Sequence, residues 1–216
     1  RLSDPKLYRQ TVQRADEILE EIQASPMAHL SDISPLGFVQ RLARIGEALS
    51  DILARGAWDR LESLTDMRQR VGQHDYASQE TRRTERVDMA LRLVRWLGVQ
   101  TRGDTSSPQS LADAARWHLR EGGFVDWARL SLRSGDPEAT LSAAYAQLFA
   151  QVLVIRERQS RVFAELLRDW TAAGSKGAEI LAVEDILGAI VAPLAEKTQV
   201  LLIVLDGMSV AVFREL

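Results

Sequence analysis

The stretch DPEATLSAAYAQLFAQVLVIRERQSRVFAELLRDW, residues 136–170, decides the fold. Asp136 and Pro137 form a helix-start signal, because Asp caps free backbone N–H groups and Pro suits the first helical turn. Apolar residues then recur at helical spacing: Leu141, Tyr145, Leu148, Val152, Ile155, Val162, Phe163 and Leu166. An unbroken helix of about 35 residues would be roughly 50 Å long. We therefore predict a long spine helix in a mainly α protein.

Upstream of this helix, the same periodicity predicts four more helices with clear boundaries. Ser3 or Asp4 with Pro5 starts the first, Ser34-Pro35 starts the second, and Gly56 ends the second. The predicted apolar stripes of the second and fourth helices are Phe38, Leu42, Ile45, Leu49, Ile52 and Leu53, and Val87, Leu91, Val94 and Leu97. Residues 58–71 form the third helix and residues 79–99 the fourth. These segments predict a multi-helix, bundle-like region.

Two boundaries divide the predicted domains. The polar stretch at residues 100–110 is rich in Gly, Ser, Thr and Pro, which is typical of a linker between subdomains. Two short helices, 111–120 and 124–132, follow it and are split by Gly122-Gly123. A last helix, 181–196, is disturbed by Pro193. We expect residues 1–197 to form the helical region and residues 198–216 to begin another domain.

The helical spacing of apolar residues gives way to a continuous apolar run at VLLIVLDGMS, residues 200–209. A short, continuous aliphatic run that ends at Asp206-Gly207 is typical of a strand buried on both faces of a parallel sheet. Ser209 to Leu216 would be the helix that follows. One strand cannot make a sheet, so we expect the first strand and helix of an incomplete α/β domain. The chain does not begin with Met, and we expect it to be a piece of a longer protein. The partner strands would lie beyond Leu216 or in another molecule, so within this piece we expect the strand to stand alone or to pair with another chain.

Composition excludes several classes of protein. The chain has 216 residues, 46% of them hydrophobic and 26% charged, with a net charge of −3, so neither disorder nor a global attraction to nucleic acid is expected. Cysteine is absent, which rules out disulfides and thiolate metal sites and fits a reducing, cytoplasmic location. No apolar run approaches the roughly 20 residues of a membrane span, and no membrane partner is expected.

Asp206 is the candidate functional residue, because ligands gather at the carboxyl ends of parallel strands and hard divalent cations bind carboxylates. A turn or helix-cap role for Asp206 fits the same pattern. A nucleotide hydrolase would also have an Asp-ended strand, but Gly174-Ser175-Lys176-Gly177 does not match its phosphate loop. A haloacid-dehalogenase-like site would need an acid at Met208, and a receiver domain would need acidic residues from an earlier strand.

Other polar residues are weaker candidates. The histidines His29, His74 and His118 lack the spacing of a metal-binding helix motif. Two arginine clusters could bind phosphates, or could form solvated helix faces with the interleaved acids: Arg82, Arg83, Arg86, Arg92 and Arg95, and Arg156, Arg158 and Arg161. Trp96, Trp117, Trp127 and Trp170 lie among aliphatic residues, which predicts core packing.

Residues 200–208 resemble the first strand of the alkaline phosphatase superfamily, and residues 206–216 resemble the opening of the PglZ domain. The stretches at 122–127, 130–136 and 155–164 are similar to the helical region that precedes that domain. The chain therefore resembles a PglZ protein of a BREX-type, type 2-like bacterial phage-defence system. The resemblance implies that Asp206 is a metal ligand, that the metal is zinc or a similar divalent ion, and that the nucleophile and remaining ligands lie after Leu216. Ser209 is too close to Asp206 to be that nucleophile and is expected to cap a helix.

Three functions remain open at this stage. The chain could be the non-catalytic helical part of a metal-dependent phosphohydrolase, with no metal expected on this piece alone. It could instead be an interaction module that docks other phage-defence proteins or DNA, with self-association through the C-terminal strand. A regulatory nucleotide hydrolase whose phosphate loop lies outside this sequence is the third possibility.

Overall fold

The computed structural model describes residues 5–103, 107–175 and 179–215. Within these ranges the chain is mainly helical, as predicted, and contains no β-strand. The described α-helices are α1 (Pro5–Glu21), α2 (Pro35–Arg55), α3 (Leu61–Gly72), α4 (Thr81–Arg102), α5 (Leu111–Trp117), α6 (Gly123–Leu132), α7 (Ala139–Ala172), α8 (Ala192–Ala195) and α9 (Val210–Glu215). The predicted long helix is α7.

The chain forms two compact units, and each is discontinuous in sequence. Unit 1 contains Arg1–Asp104 and Ala128–Leu153, and unit 2 contains Thr105–Trp127 and Val154–Leu216. The division between the two units therefore falls within both α6 and α7. Residues 104–106 of the predicted linker lie outside the described residues, as do Lys176 and Gly177 of the stretch that was compared with a phosphate loop. The predicted domain boundary at residue 197 stays a prediction.

The core of unit 1 is built on α2 and α4. Helix α2 begins where the Ser34 hydroxyl accepts a 3.0 Å hydrogen bond from the Gly37 N–H, and it ends at Gly56, whose φ of 65° is left-handed. The apolar stripes predicted for the two helices are buried. The first half of α7 adds Leu141, Tyr145 and Leu148, which have no exposed surface. The helical periodicity therefore identified this core correctly.

Gly46 permits the close packing of α2 and α7 within unit 1. A Cβ atom at this position would lie 2.6 Å from the backbone nitrogen of Leu141 and 2.7 Å from its Cα atom. Real Cβ atoms do not approach backbone that closely, and backbone cannot rotate away as a flexible side chain can. The glycine is therefore required by packing, although it lowers the intrinsic stability of the helix.

Gly122-Gly123 does not split two helices as the sequence predicted. A π-helical turn, His118–Gly122, joins α5 directly to α6. A Cβ atom on Gly122 would lie 2.5 Å from Nδ1 of His118 and 3.0 Å from the Trp117 ring. Glycine at this position leaves room for both rings against the widened turn, so the pair allows tight packing here instead of breaking the helix.

The predicted last helix is also irregular. Residues 183–185 form a 3₁₀ turn, Leu187–Val191 form a π-helical turn, and only Ala192–Ala195 are α-helical. Pro193 has no N–H to donate, so a regular α-helical ladder cannot run through it. The disturbance expected from Pro193 is present, and it affects the whole segment.

The predicted strand at Val200–Leu205 is not formed in the described part of the chain. These six residues have no regular secondary structure, and each side chain is between 40% and 84% exposed. A strand is defined by hydrogen bonds to a neighbouring strand, and no described segment supplies one. The incomplete α/β domain is therefore not shown, although the expected helix after the turn is present as α9.

Candidate functional site

Asp206 lies in an exposed turn between the apolar segment Val200–Leu205 and α9. The next residue, Gly207, has a φ of 74°, which is left-handed and favours glycine. The turn therefore reverses the backbone directly after the carboxylate. This position fits both roles that the sequence left open, a ligand-binding carboxylate and a turn residue.

Ser209 caps α9, as the sequence suggested. Its hydroxyl oxygen accepts a 3.3 Å hydrogen bond from the Val212 N–H, and its carbonyl accepts a 3.0 Å bond from the Phe213 N–H. A side-chain oxygen that satisfies a free N–H of the first turn is the usual N-cap arrangement. The Ser209 hydroxyl therefore has a structural partner within the helix that follows Asp206.

Helix α9 is seated on the second glycine of the Gly122-Gly123 pair, within unit 2. A Cβ atom on Gly123 would lie 3.2 Å from Cγ1 of Val210 and 3.6 Å from the backbone nitrogen of Ala211. The contact places the residues that follow Asp206 against the junction between the π-helical turn and α6. Sequence reasoning missed this role, and its only signal was an adjacent pair of glycines within a helical pattern.

A nearly buried arginine on α7, Arg156, contacts the π-helical turn and the residue before it. Arg156 donates two hydrogen bonds to the Asp126 carboxylate, at 3.0 Å from Nε and 2.7 Å from Nη2. Its Nη1 donates to the Gln159 side chain at 2.9 Å, and its guanidinium carbon lies 5.3 Å from the centre of the Trp117 ring. A two-point Arg–carboxylate pair is both strong and directional. It ties α6 to α7 inside unit 2.

His118 completes this cluster. Arg156 Nη2 lies 3.4 Å from Nδ1 of His118, and because arginine only donates, Nδ1 is the acceptor and the ring proton is on Nε2. Burial, and then the positive charge of Arg156, lowers the pKa of His118. The neutral ring is therefore favoured at physiological pH. The cluster therefore holds the π-helical turn against α7 through the contact between His118 and Arg156.

The predicted metal site is not assembled by the described residues. No group of three or more Asp, Glu or His side chains able to hold an ion occurs among them, and Asp206 is a lone carboxylate. Hard divalent cations need several oxygen ligands and zinc needs about four ligands, so Asp206 could supply only one ligand of such a site. His29 Nδ1 contacts the Pro26 carbonyl at 2.7 Å, and His74 accepts a hydrogen bond from the Tyr76 N–H at 3.0 Å. Each of these two histidines therefore has a local hydrogen-bond partner within unit 1.

Two arginines of the first predicted cluster, Arg83 and Arg86, make hydrogen bonds and ion pairs within unit 1. Arg83 makes a two-point ion pair with Asp136, at 2.6 and 3.0 Å, and Arg86 donates to the Gly135 carbonyl. The Asp136 side chain has no exposed surface. These two arginines therefore cannot form a solvated phosphate-binding stripe with Arg82. DNA binding by the remaining basic residues stays a prediction.

The four tryptophans expected in the core are only half-buried. Aliphatic residues on the same helices fill the fully buried positions instead, and Leu93 and Leu97 of α4 are examples. Part of each tryptophan therefore remains in contact with solvent. This is common for a large side chain with a polar N–H.

One described helix, α7, is long and apolar enough to cross a membrane by length and composition alone. This departs from the expectation that no apolar stretch approaches a membrane span. The core helix of a water-exposed domain passes the same test, and the first half of α7 supplies buried residues to unit 1. The finding is weak evidence for a membrane span, and the expected lack of a membrane partner stays a prediction.

Comparisons of this chain with protein-family models, with curated proteins and with solved structures find no match. The fold defines a mainly helical protein with two compact units and an exposed apolar segment before an Asp-Gly turn. The likeness to the PglZ family rests on the residue stretches quoted above and stays a prediction.

Proposed function

We propose that this chain is the helical region of a PglZ-like, BREX-type phage-defence protein, and that Val200–Asp206 becomes the first strand of an alkaline-phosphatase-like domain. Three of the stretches that resemble this family lie together in unit 2. Asp126 of the first pairs with Arg156 of the second, and Gly123 contacts Val210 of the third. The family-like positions therefore support one another physically.

The observation that carries this proposal is the state of Val200–Leu205. Six consecutive apolar side chains are exposed together, and the backbone of this stretch forms no regular secondary structure. Exposing such a run to water is unfavourable, at roughly 25 cal/mol for each Å² of apolar surface. Pairing in a sheet would remove this cost by burying the side chains, and it would give the backbone hydrogen-bond partners. The Asp-Gly turn then places Asp206 at the carboxyl end of that strand.

On this proposal the chain is not catalytic by itself. Asp206 would contribute one ligand to a zinc-like divalent ion, and other ligands would come from residues outside the described part of the chain. The role of unit 2 is to hold α9, and with it the start of the catalytic domain, in a defined position. The cytoplasmic location and the phage-defence partners follow from the same resemblance.

The test uses the complete gene product, expressed through its natural C-terminus. We expect divalent-metal-dependent hydrolysis of a generic phosphodiester, and we expect Asp206→Ala to abolish it because a metal ligand is lost. Asp185→Ala is the matched control, since Asp185 is also an exposed carboxylate in unit 2. Equal activity in both variants, with folding confirmed by circular dichroism, would make Asp206 a turn residue. Metal-independent hydrolysis would reject the alkaline-phosphatase-like assignment.

A second function, an interaction module, is favoured by a different observation. Large apolar side chains are also exposed in the irregular segment that ends with α8, at Val183, Leu187, Ile190 and Leu194. Together with Val200–Leu205 they give unit 2 many apolar side chains in contact with water. Exposed apolar patches of this kind mark protein–protein contacts. The partners would be other phage-defence proteins or a second copy of this chain.

A further inference from the structure

A small cleft in unit 1 is independent of the Asp206 turn. It has a volume of about 280 Å³ and lies between α2, α3 and the 3₁₀ turn Ser25–Leu30. Its polar lining consists of His29, Asp32, Arg41, Arg44, Arg70 and Gln73. Three arginines therefore face one carboxylate, in a chain whose net charge is negative.

Arg41 and Asp32 form the fixed wall of this cleft. Arg41 donates to three backbone carbonyls, those of His29 at 2.8 Å, Arg70 at 2.6 Å and Ser31 at 3.1 Å. It also pairs with the Asp32 carboxylate at 2.5 Å, and this hydrogen bond lowers the pKa of Asp32. The Arg41 side chain is only 10% exposed. The Asp32 charge is therefore neutralised by Arg41 and does not compensate the other arginines.

Arg44 and Arg70 are the uncompensated charges. Both side chains are exposed, and no ion pair joins either of them to a described acidic residue. They come from different helices, α2 and α3, and line the same cleft. Two guanidinium groups held in one concavity create a positive potential that attracts an anion. Gln73, just after α3, adds a neutral side-chain amide to the same lining.

We propose that this cleft binds a small molecule that carries a phosphate group. Guanidinium groups match phosphate oxygens by donating parallel hydrogen bonds, and two of them can hold one diphosphate from both sides. Ligand pockets span about 300–1,000 Å³, and a cleft just below that range suits a ligand as small as a diphosphate or a small phosphomonoester. The cleft is too small to hold a stretch of nucleic acid.

The experiment is calorimetric titration of the chain with inorganic pyrophosphate at low ionic strength. We expect saturable binding that weakens as salt is added. Arg44→Gln and Arg70→Gln should each weaken it about tenfold or more, because a hydrogen bond to a charged group contributes roughly 1.5–3 kcal/mol. Arg133→Gln is the matched control, since Arg133 is an exposed arginine of unit 1 that does not line the cleft.

Three outcomes would overturn the proposal. These are no saturable binding to the unmodified chain, an equal loss of binding in Arg133→Gln, and binding of citrate as tight as that of pyrophosphate, which would indicate a general anion site. Unchanged circular dichroism and thermal melting of the variants show that any loss is local, as expected for substitutions of exposed side chains. Because the readout does not involve Asp206, it is independent of the phosphohydrolase proposal.

Discussion

At the scale of single residues, burial decides what an arginine does in this protein. Arg82 and Arg83 are neighbours in α4, yet Arg82 is exposed while Arg83 pairs with a carboxylate that has no exposed surface. The Arg83 guanidinium also lies 5.5 Å from the centre of the Phe38 ring. No sequence pattern distinguishes the two arginines, because the partner Asp136 follows more than fifty residues later.

We expect Asp136→Ala to destabilise unit 1 by about 3–5 kcal/mol, because it leaves a buried guanidinium without its counter-charge. Asp136 also accepts a 2.9 Å hydrogen bond from the Glu138 N–H just before α7, and this bond is lost as well. Urea unfolding, followed by far-UV circular dichroism, measures the change. The control is Glu17→Ala, which breaks the exposed Arg14–Glu17 pair and should cost less than about 1 kcal/mol. A similar loss of unfolding free energy in both variants would show that the Arg83–Asp136 pair contributes no more than an exposed ion pair.

At the scale of secondary-structure elements, glycines mark where elements pack closely. Gly46 brings α2 against α7, and Gly123 brings α6 against α9. The sequence predicted the helices themselves well, because helix formation depends on local periodicity and caps. It could not predict these contacts, since a glycine inside a helical pattern equally indicates a weak point or a break. For this reason the sequence pattern predicts a helix break at Gly122-Gly123, where the structure has a continuous helical segment.

We expect Gly46→Ala to destabilise unit 1 by about 1–3 kcal/mol, because the new methyl group forces α2 and α7 apart. This cost should exceed the gain of about 1 kcal/mol in helix propensity. The matched control is Gly188→Ala, where an added Cβ atom meets nothing within 4 Å. That variant should melt at the same temperature as the unmodified chain, or higher. A stabilised Gly46→Ala protein would contradict the close packing.

At the scale of the whole molecule, the exposed segment Val200–Leu205 is the feature most open to intermolecular contact. An unpaired apolar strand-like segment offers free backbone groups and side chains to another chain. If the interaction-module function holds, the purified chain should self-associate at high concentration through this segment. Sedimentation velocity at increasing concentration detects this association directly.

Val204→Asp tests that association, because a charge in the middle of the segment opposes its burial in a sheet. We expect this variant to remain monomeric at concentrations where the unmodified chain associates. Leu130→Asp is the control, since Leu130 is a similarly exposed apolar residue on α6. Association that persists in Val204→Asp, or that is lost equally in the control, would place the contact elsewhere. A chain that never associates would reject self-association through this segment.

The sequence by itself determined the helical class, the position of α7 and the buried faces of α2 and α4, because these follow from periodicity and caps within a few turns of the chain. It also predicted Ser209 at a helix start, and it left open whether Asp206 is a turn residue or a metal ligand. Only the tertiary structure decided which arginines are buried, which glycines carry helix contacts and where the arginine-lined cleft lies. The tertiary structure alone also shows that Val200–Leu205 is exposed and has no regular secondary structure. Each of these depends on residues distant in sequence, and a strand in particular exists only when another segment supplies its hydrogen-bond partners.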